Sequence, residues 1–189
     1  FDASLFTLLW PAQAGPKIRE WLRQNIPSGR IRDAKILIGT GYDAEAKKQK
    51  LDHVSGNLRL RDSTIRWSEK LPPFKNLSAD LAIKNAVFTA NVTNAQFGDS
   101  NVQHGNLTIF PVVGTETRQM NMSIVMKGTL ANAAEYAKKL GVRTLAGMDM
   151  SYVVASGEVE LILEAAFPLE QKVDALEAIK KLDATISDG

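Results

Sequence analysis

The chain has 189 residues, with 23 Lys+Arg against 21 Asp+Glu and no cysteine. This length can bury a core without staples. The near balance of scattered charges gives no indication of a nucleic-acid footprint, the missing thiols exclude structural disulfides and thiolate metal sites, and no apolar run reaches the roughly 20 residues of a membrane-crossing helix.

The first element is predicted in LWPAQAGPKIREWLRQNIPSGRI, which runs from Leu9 to Ile31. Pro16 suits a first helical turn, and Ile18, Trp21, Leu22 and Ile26 recur at helical spacing opposite Lys17, Arg19, Glu20, Arg23 and Gln24. The spacing predicts a helix from Pro16 to Ile26, stopped by Pro27, Ser28 and Gly29. This helix-led entry is assigned to residues 9–29.

From there the period changes to 2, and a strand meander is expected over 30–128. Ile36 and Ile38, Leu58 and Leu60, Ile65 and Trp67, then Leu77, Ala79, Leu81 and Ile83 alternate with polar or small residues. The alternation continues through Ala86, Phe88, Ala90 and Val92, and through Leu107 and Ile109. It is clearest in MNMSIVMKG, where Met120, Met122, Ile124 and Met126 share one face. Gly56, Asp62, Pro72-Pro73, Asn85, Gly98-Asp99, Gly114 and Gly128 read as turn residues between strands.

A second short helix is predicted over 129–141, in TLANAAEYAKKLG, with Thr129 as N-cap and Gly141 as stop. Ala133, Tyr136, Ala137 and Leu140 would share its apolar side. Strands resume over 147–189, with Val159, Leu161 and Leu163 on one face and Glu158, Glu160 and Glu164 on the other. Near the end, AIKKLDATISDG echoes PFKNLSADLAIKN, although LEQKVDALEAIKKL also carries helical spacing in Val173, Leu176, Ile179 and Leu182. A link over about 170–180 followed by a strand would make this the start of a further repeat. Phe1 is not an initiator methionine, so the chain is expected to be a fragment of a longer repeating protein.

The fold class expected is mainly β, a largely antiparallel sheet of about nine strands with two short helices. Such a sheet presents on the order of 1,000 Å² on one face, whereas two helices of about ten residues cover roughly 300 Å². Either the sheet packs on itself, or it stays open and its apolar face receives an apolar ligand. The residues that would line such a face are Ile36, Ile38, Leu58, Leu60, Leu81, Ile83, Phe88, Leu107, Ile109, Met120, Met122, Ile124, Met126, Val159, Leu161 and Leu163. Each is equally at home in a core, though the methionines suit a promiscuous apolar surface. Trp21 and Trp67 read as packing anchors.

Catalysis has little support. His53 and His104 are the only histidines, neither has a partner at ligand spacing, and no nucleophile elbow, phosphate loop or dinucleotide fingerprint is present. The expectation is a chain that is not an enzyme and holds no metal or cofactor.

The entry segment LWPAQAGPKIREWLRQNIPSGRI resembles the entry of the periplasmic domain in AsmA-like bacterial envelope proteins of the YhdP and TamB type. IRWSEKLPPFKNLSADLAI, MKGTLANAAEYAKKLG and SGEVELILEAAFPL follow the order of that family: a tryptophan, a Pro-Pro step into a strand, a short helix, and a strand ending in Pro-Leu. The resemblance implies a repeating β-groove, anchored in the inner membrane through segments outside this chain and crossing the periplasm. It also implies transport of phospholipid toward the outer membrane, with acyl chains as the partners of the groove. A scaffold that binds other envelope-assembly proteins is the alternative.

Overall fold

A computed structural model describes residues 2, 20, 23–24, 26–45, 47–66, 72–114, 117–140, 144–145, 148–149, 157–168 and 179–187. Among them the strands are β1 (Ser28–Asp43), β2 (Lys48–Ile65), β3 (Phe74–Lys84), β4 (Val87–Phe97), β5 (Ser100–Pro111) and β6 (Arg118–Thr129). Helix α1 (Leu130–Leu140) follows β6 directly. Then come β7 (Thr144–Leu145), β8 (Met148–Asp149), β9 (Glu158–Pro168) and β10 (Ile179–Ser187).

Eight strands form one antiparallel sheet in the order β1-β2-β3-β4-β5-β6-β9-β10, while β7 and β8 pair only with each other. The sheet is open, since β1 and β10 stand at its two ends. The expected mainly β, antiparallel class is therefore present, with α1 inserted where the meander steps from β6 to β9. Glu20, Arg23 and Gln24 are helical. The rest of the predicted Pro16–Ile26 helix lies outside the described residues, except that Ile26 packs partly buried against the core.

Turn chemistry explains the hairpins. Lys84 pairs with Val87 across a two-residue loop in which Asn85 and Ala86 both have positive φ, 52° and 63°, the mirror-image turn that matches strand twist. Gly98 has φ 57° in the two-residue loop between β4 and β5. Gly56, Asp62 and Gly128 are not turn residues: they lie inside β2 and β6, which are longer than the alternation suggests. At Gly56 the close approach of the Lys35 carbonyl leaves no room for a side chain, which is why glycine stands mid-strand.

Each of the first five strands changes phase within its paired length, and the β1–β2 hairpin shifts again at Gly39/Thr40. In β1 the inward residues are Ile31, then Ile36 and Ile38; in β2, Leu58 and Leu60, then Ser63 and Ile65; in β3, Phe74, then Leu77 and Ala79. An odd step between inward residues needs an extra residue, and the register shifts there. Asp33, Asp62 and Asn76 occupy these bulges with φ 50° each, the left-handed conformation that Asp and Asn tolerate best. In β4 the step falls between Val92 and Ala95, and in β5 between Val102 and Gly105. Strands β6 and β9 keep one phase throughout their pairing.

Candidate functional site

The register joins the strands into rows that run across the sheet. One row is apolar on every strand: Ile31, Leu60, Ala79, Val92, Gly105, Ile124, Leu163 and Leu182 stand opposite one another in turn. The neighbouring row is polar on every strand: Arg32, Arg59, Asp80, Asn91, Asn106, Ser123, Glu164 and Lys181. Adjacent positions on a strand point to opposite faces. The sheet thus has one continuous apolar face and an opposite face that is polar along this row, with apolar exceptions such as the Val125–Ile162 pair.

Ion pairs tie the polar face together. Arg59 Nη1 lies 2.9 Å from Asp33 Oδ2, Arg61 Nη2 lies 3.2 Å from Asp80 Oδ1, and Lys127 Nζ lies 3.6 Å from Glu160 Oε2. Arg30 pairs with Asp62. The carboxylates at two bulges, Asp33 and Asp62, are thus each held by an arginine of the neighbouring strand.

The apolar face falls into two parts. Leu58, Leu60, Ile124, Met126, Val159, Leu161 and Leu163 are buried. Leu81, Ile83, Phe88, Leu107, Ile109, Met120 and Met122 are only half-buried, and they too are in register. Leu81, Ala90, Leu107, Met122 and Ala165 make one row; Ile83, Phe88, Ile109 and Met120 make the next. Ile36 continues the second of these rows through Gly56 onto the edge strand, Ile38 lies past the end of the β2–β3 pairing, and both are exposed, at 37% and 43%. The structure therefore brings fourteen of the sixteen lining candidates, the seven buried and the seven half-buried, onto the body of one face and leaves Ile36 and Ile38 at its margin.

Helix α1 closes one end of the buried part. Thr129 caps it, its Oγ1 accepting a hydrogen bond from Asn132 N at 3.2 Å. Leu130, Ala133, Ala134 and Ala137 are buried in the same apolar cluster as Phe97, Val102, Met126 and Val159. Tyr136 reaches the β4–β5 turn, where its ring meets that of Phe97 at 5.0 Å and its hydroxyl donates to the Phe97 carbonyl at 3.3 Å. Leu130 to Tyr136 is six steps, about 9 Å of rise, which matches the roughly 9.6 Å of two strand spacings from β6 to β4. The helix thus crosses β5 and covers the end of the face near Val102.

Several core residues lie outside the sequence-derived lining set, namely Ile31, Phe74, Ala95, Phe97 and Val102. All but Ala95 are large, and each sits before or after a bulge, out of phase with its strand's other inward residues. The available signal was an Asp or Asn interrupting an apolar alternation, as at positions 33, 62 and 76. Trp21 and Trp67, and Val173 and Leu176 of the helical alternative near the C-terminus, lie outside the described residues. Ile179 and Leu182 are in strand β10.

His53 and His104 are both exposed. Among the described residues no three His, Asp or Glu side chains are gathered to hold a metal ion, and no helix is long and apolar enough to cross a membrane.

Residues 4–182 match the model of the YhdP protein family. The chain belongs to that family. YhdP is a bacterial envelope protein family, so the resemblance carried by the entry segment, the Pro-Pro step and the short helix holds over nearly the whole chain. No curated protein and no solved structure matches the chain significantly. For a YhdP family member the two-faced open sheet is the feature with chemical content: it offers an apolar surface and no assembled polar centre among the described residues.

Proposed function

We propose that this YhdP-family chain is a non-catalytic module whose apolar face carries phospholipid acyl chains between the inner and outer membranes, supporting outer-membrane integrity. It would act in the periplasm, in a protein anchored to the inner membrane by other segments. The observation that carries the reading is the half-buried part of the face, where Leu81, Leu107 and Met122 stand in one row and Ile83, Phe88, Ile109 and Met120 in the next. Apolar surface left partly in water gains about 25 cal/mol for each Å² that a ligand covers. A run of it this continuous is what an acyl chain would occupy.

No position on such a face needs to recognise the lipid. Burial is non-directional and worth about 0.8 kcal/mol per methylene, so a chain could shift from one row to the next without losing a specific bond. Headgroups would stay in water at the margins of the face.

The test is native mass spectrometry of the purified chain. Bound phospholipid is expected, and a Leu107→Glu variant that remains folded is expected to lose it. A chain that binds no phospholipid under conditions where it is folded would remove this reading.

A scaffold role is favoured by a separate observation. Past Gly56, β2 pairs only with β1, so the hairpin overhangs the sheet, with Leu37 55% and Tyr42 65% exposed on its edge strand. Exposed edges of this kind pair with other polypeptides. Phospholipid absent from the chain, together with a defined envelope protein retained by it and lost with Tyr42→Lys, would favour this reading.

A further inference from the structure

The covered and open parts of the apolar face are one surface. The row Ala95, Val102, Met126, Leu161 and Ala184 beneath and beside α1 lies next to the row that crosses all eight strands, with no polar residue between them on that face. The helix lies over the first of them. Among the described residues its hydrogen bonds to the sheet region lie at two places, while Leu130, Ala133, Ala134 and Ala137 are buried along its underside.

At its N-terminal end α1 leaves β6 without a linker: Thr129 is the last strand residue and Leu130 the first helical one. Leu130 N also donates to the Gly157 carbonyl at 3.1 Å, which fixes this end. Toward its other end Tyr136 is the polar attachment, and its 3.3 Å hydrogen bond to Phe97 is longer than the 2.5–3.0 Å usual for a hydroxyl donor. Between the two, the underside is alanine, with Ala133, Ala134 and Ala137 supplying one methyl each. The outer side is charged, with Glu135 paired to Lys139 at 2.5 Å and Lys138 exposed.

We propose that α1 is a hinged flap over the apolar face, pivoting at Thr129–Leu130 and latched by Tyr136, and that its opening joins the covered strip at Val102 and Met126 to the open rows. The hinge follows from the direct strand-to-helix junction. A latch made of the bond to the Phe97 carbonyl, the bond with the Asp99 backbone and one ring contact, over an underside of single methyls, yields before the interlocked strands do, because local openings cost less than global unfolding where few large apolar groups are interlocked. The charged outer side keeps water contact in either position. That acyl chains are what enters the strip rests on the lipid reading above; the flap itself does not.

The chain has no cysteine, so single thiols report cleanly. Val102→Cys, beneath α1, is labelled with a water-soluble disulfide reagent across a urea series and compared with unfolding followed by tryptophan fluorescence. The expected result is labelling through an opening whose urea dependence is well below that of global unfolding, as a sub-global opening exposes less surface. Tyr136→Phe is expected to raise the labelling rate at least about twofold, the lower bound for the loss of one net hydrogen bond, since its hydroxyl bonds both the Phe97 and the Asp99 backbone. Ala133→Cys, on the underside of α1, replaces Val102→Cys if the latter does not fold. Labelling that shows the full urea dependence of global unfolding, or that Tyr136→Phe leaves unchanged, overturns the flap. Monomeric dihexanoylphosphatidylcholine is then added: faster labelling of Ala133→Cys supports lipid as the occupant, and a flap that opens locally but ignores this lipid overturns the occupant alone.

Discussion

Ser100 fills the space that a side chain on Gly128 would need: a methyl group there would collide with the Ser100 hydroxyl and lie 2.9 Å from its Cβ. The two residues face each other at the ends of β5 and β6, one residue before the α1 junction at Thr129–Leu130, and Ser100 is buried. Glycine is required here by the close approach of a neighbour rather than by its backbone conformation. Gly128→Ala is expected to destabilise the chain by about 1–3 kcal/mol through overpacking. Ser100→Gly should relieve much of that cost, so the double variant loses less than the sum of the two singles. Urea denaturation of the four chains gives the coupling.

Gly105 presents the opposite case in the row that crosses every strand. A methyl there would sit 3.4 Å from Ile124 and 3.5 Å from Val92, ordinary packing distances. Gly105→Ala is expected to stay within about 1 kcal/mol of the parent, on the stabilising side, because alanine loses less backbone entropy than glycine. A loss above about 2 kcal/mol in urea denaturation would show that the site has no room.

Ile124 and Leu107 separate fold from binding. Ile124 is 7% exposed and its carboxylate replacement would be enclosed, so Ile124→Glu should cost several kcal/mol or hold a proton well above the usual carboxylate range. Leu107 is half-buried in the open part. Leu107→Glu should cost roughly 1–2.5 kcal/mol, below the worth of a fully buried leucine, while abolishing bound phospholipid. Thermal denaturation and native mass spectrometry of the same two variants report both quantities. A Leu107→Glu chain that unfolds would place this row in the core.

The polar face should matter little to stability. Asp80 lies 3.2 Å from Arg61 and 3.8 Å from Arg59, with all three side chains substantially in water. Asp80→Asn is expected to cost no more than about 1 kcal/mol at low salt and less at high salt, since exposed pairs are screened. Denaturation at two ionic strengths measures it.

Tyr136 carries the pH dependence of the α1 attachment. Burial pushes its phenol above the ordinary tyrosine value, the Asp99 backbone opposes this, the charges of Asp99 and Glu135 add to it, and Lys139 again opposes it. A value raised in the folded chain means that the contribution is present below about pH 10, the unfolded value, and is lost as pH rises through the folded one. In an ultraviolet absorbance titration of the three tyrosines, Tyr136→Phe should remove a step that lies above the ordinary range.

How far the sheet could be read in advance differs strand by strand. In β6, Met120, Met122, Ile124 and Met126 keep one phase from end to end, so alternation alone places all four on one face. In β3 the bulge at Asn76 reverses the phase, and Phe74, which packs 4.8 Å from Phe97, reads as belonging to the wrong side. Alternation is a local signal, and a bulge leaves it intact on both sides while changing which face it serves. The helix was equally plain, because Thr129 caps it and the apolar spacing changes at that residue.

What sequence by itself determined is the class: an antiparallel sheet with one apolar face and one short helix near its middle. These rest on periodicity, caps and turn residues, all of which act within a few positions. Which parts of the apolar face are closed was decided only by the tertiary structure. Val102 and Leu107 stand five residues apart on the same strand and face, yet the first is buried and the second half-open. The difference is the path of α1 from β6 to the Phe97 turn, a contact between residues 39 positions apart that no local pattern encodes.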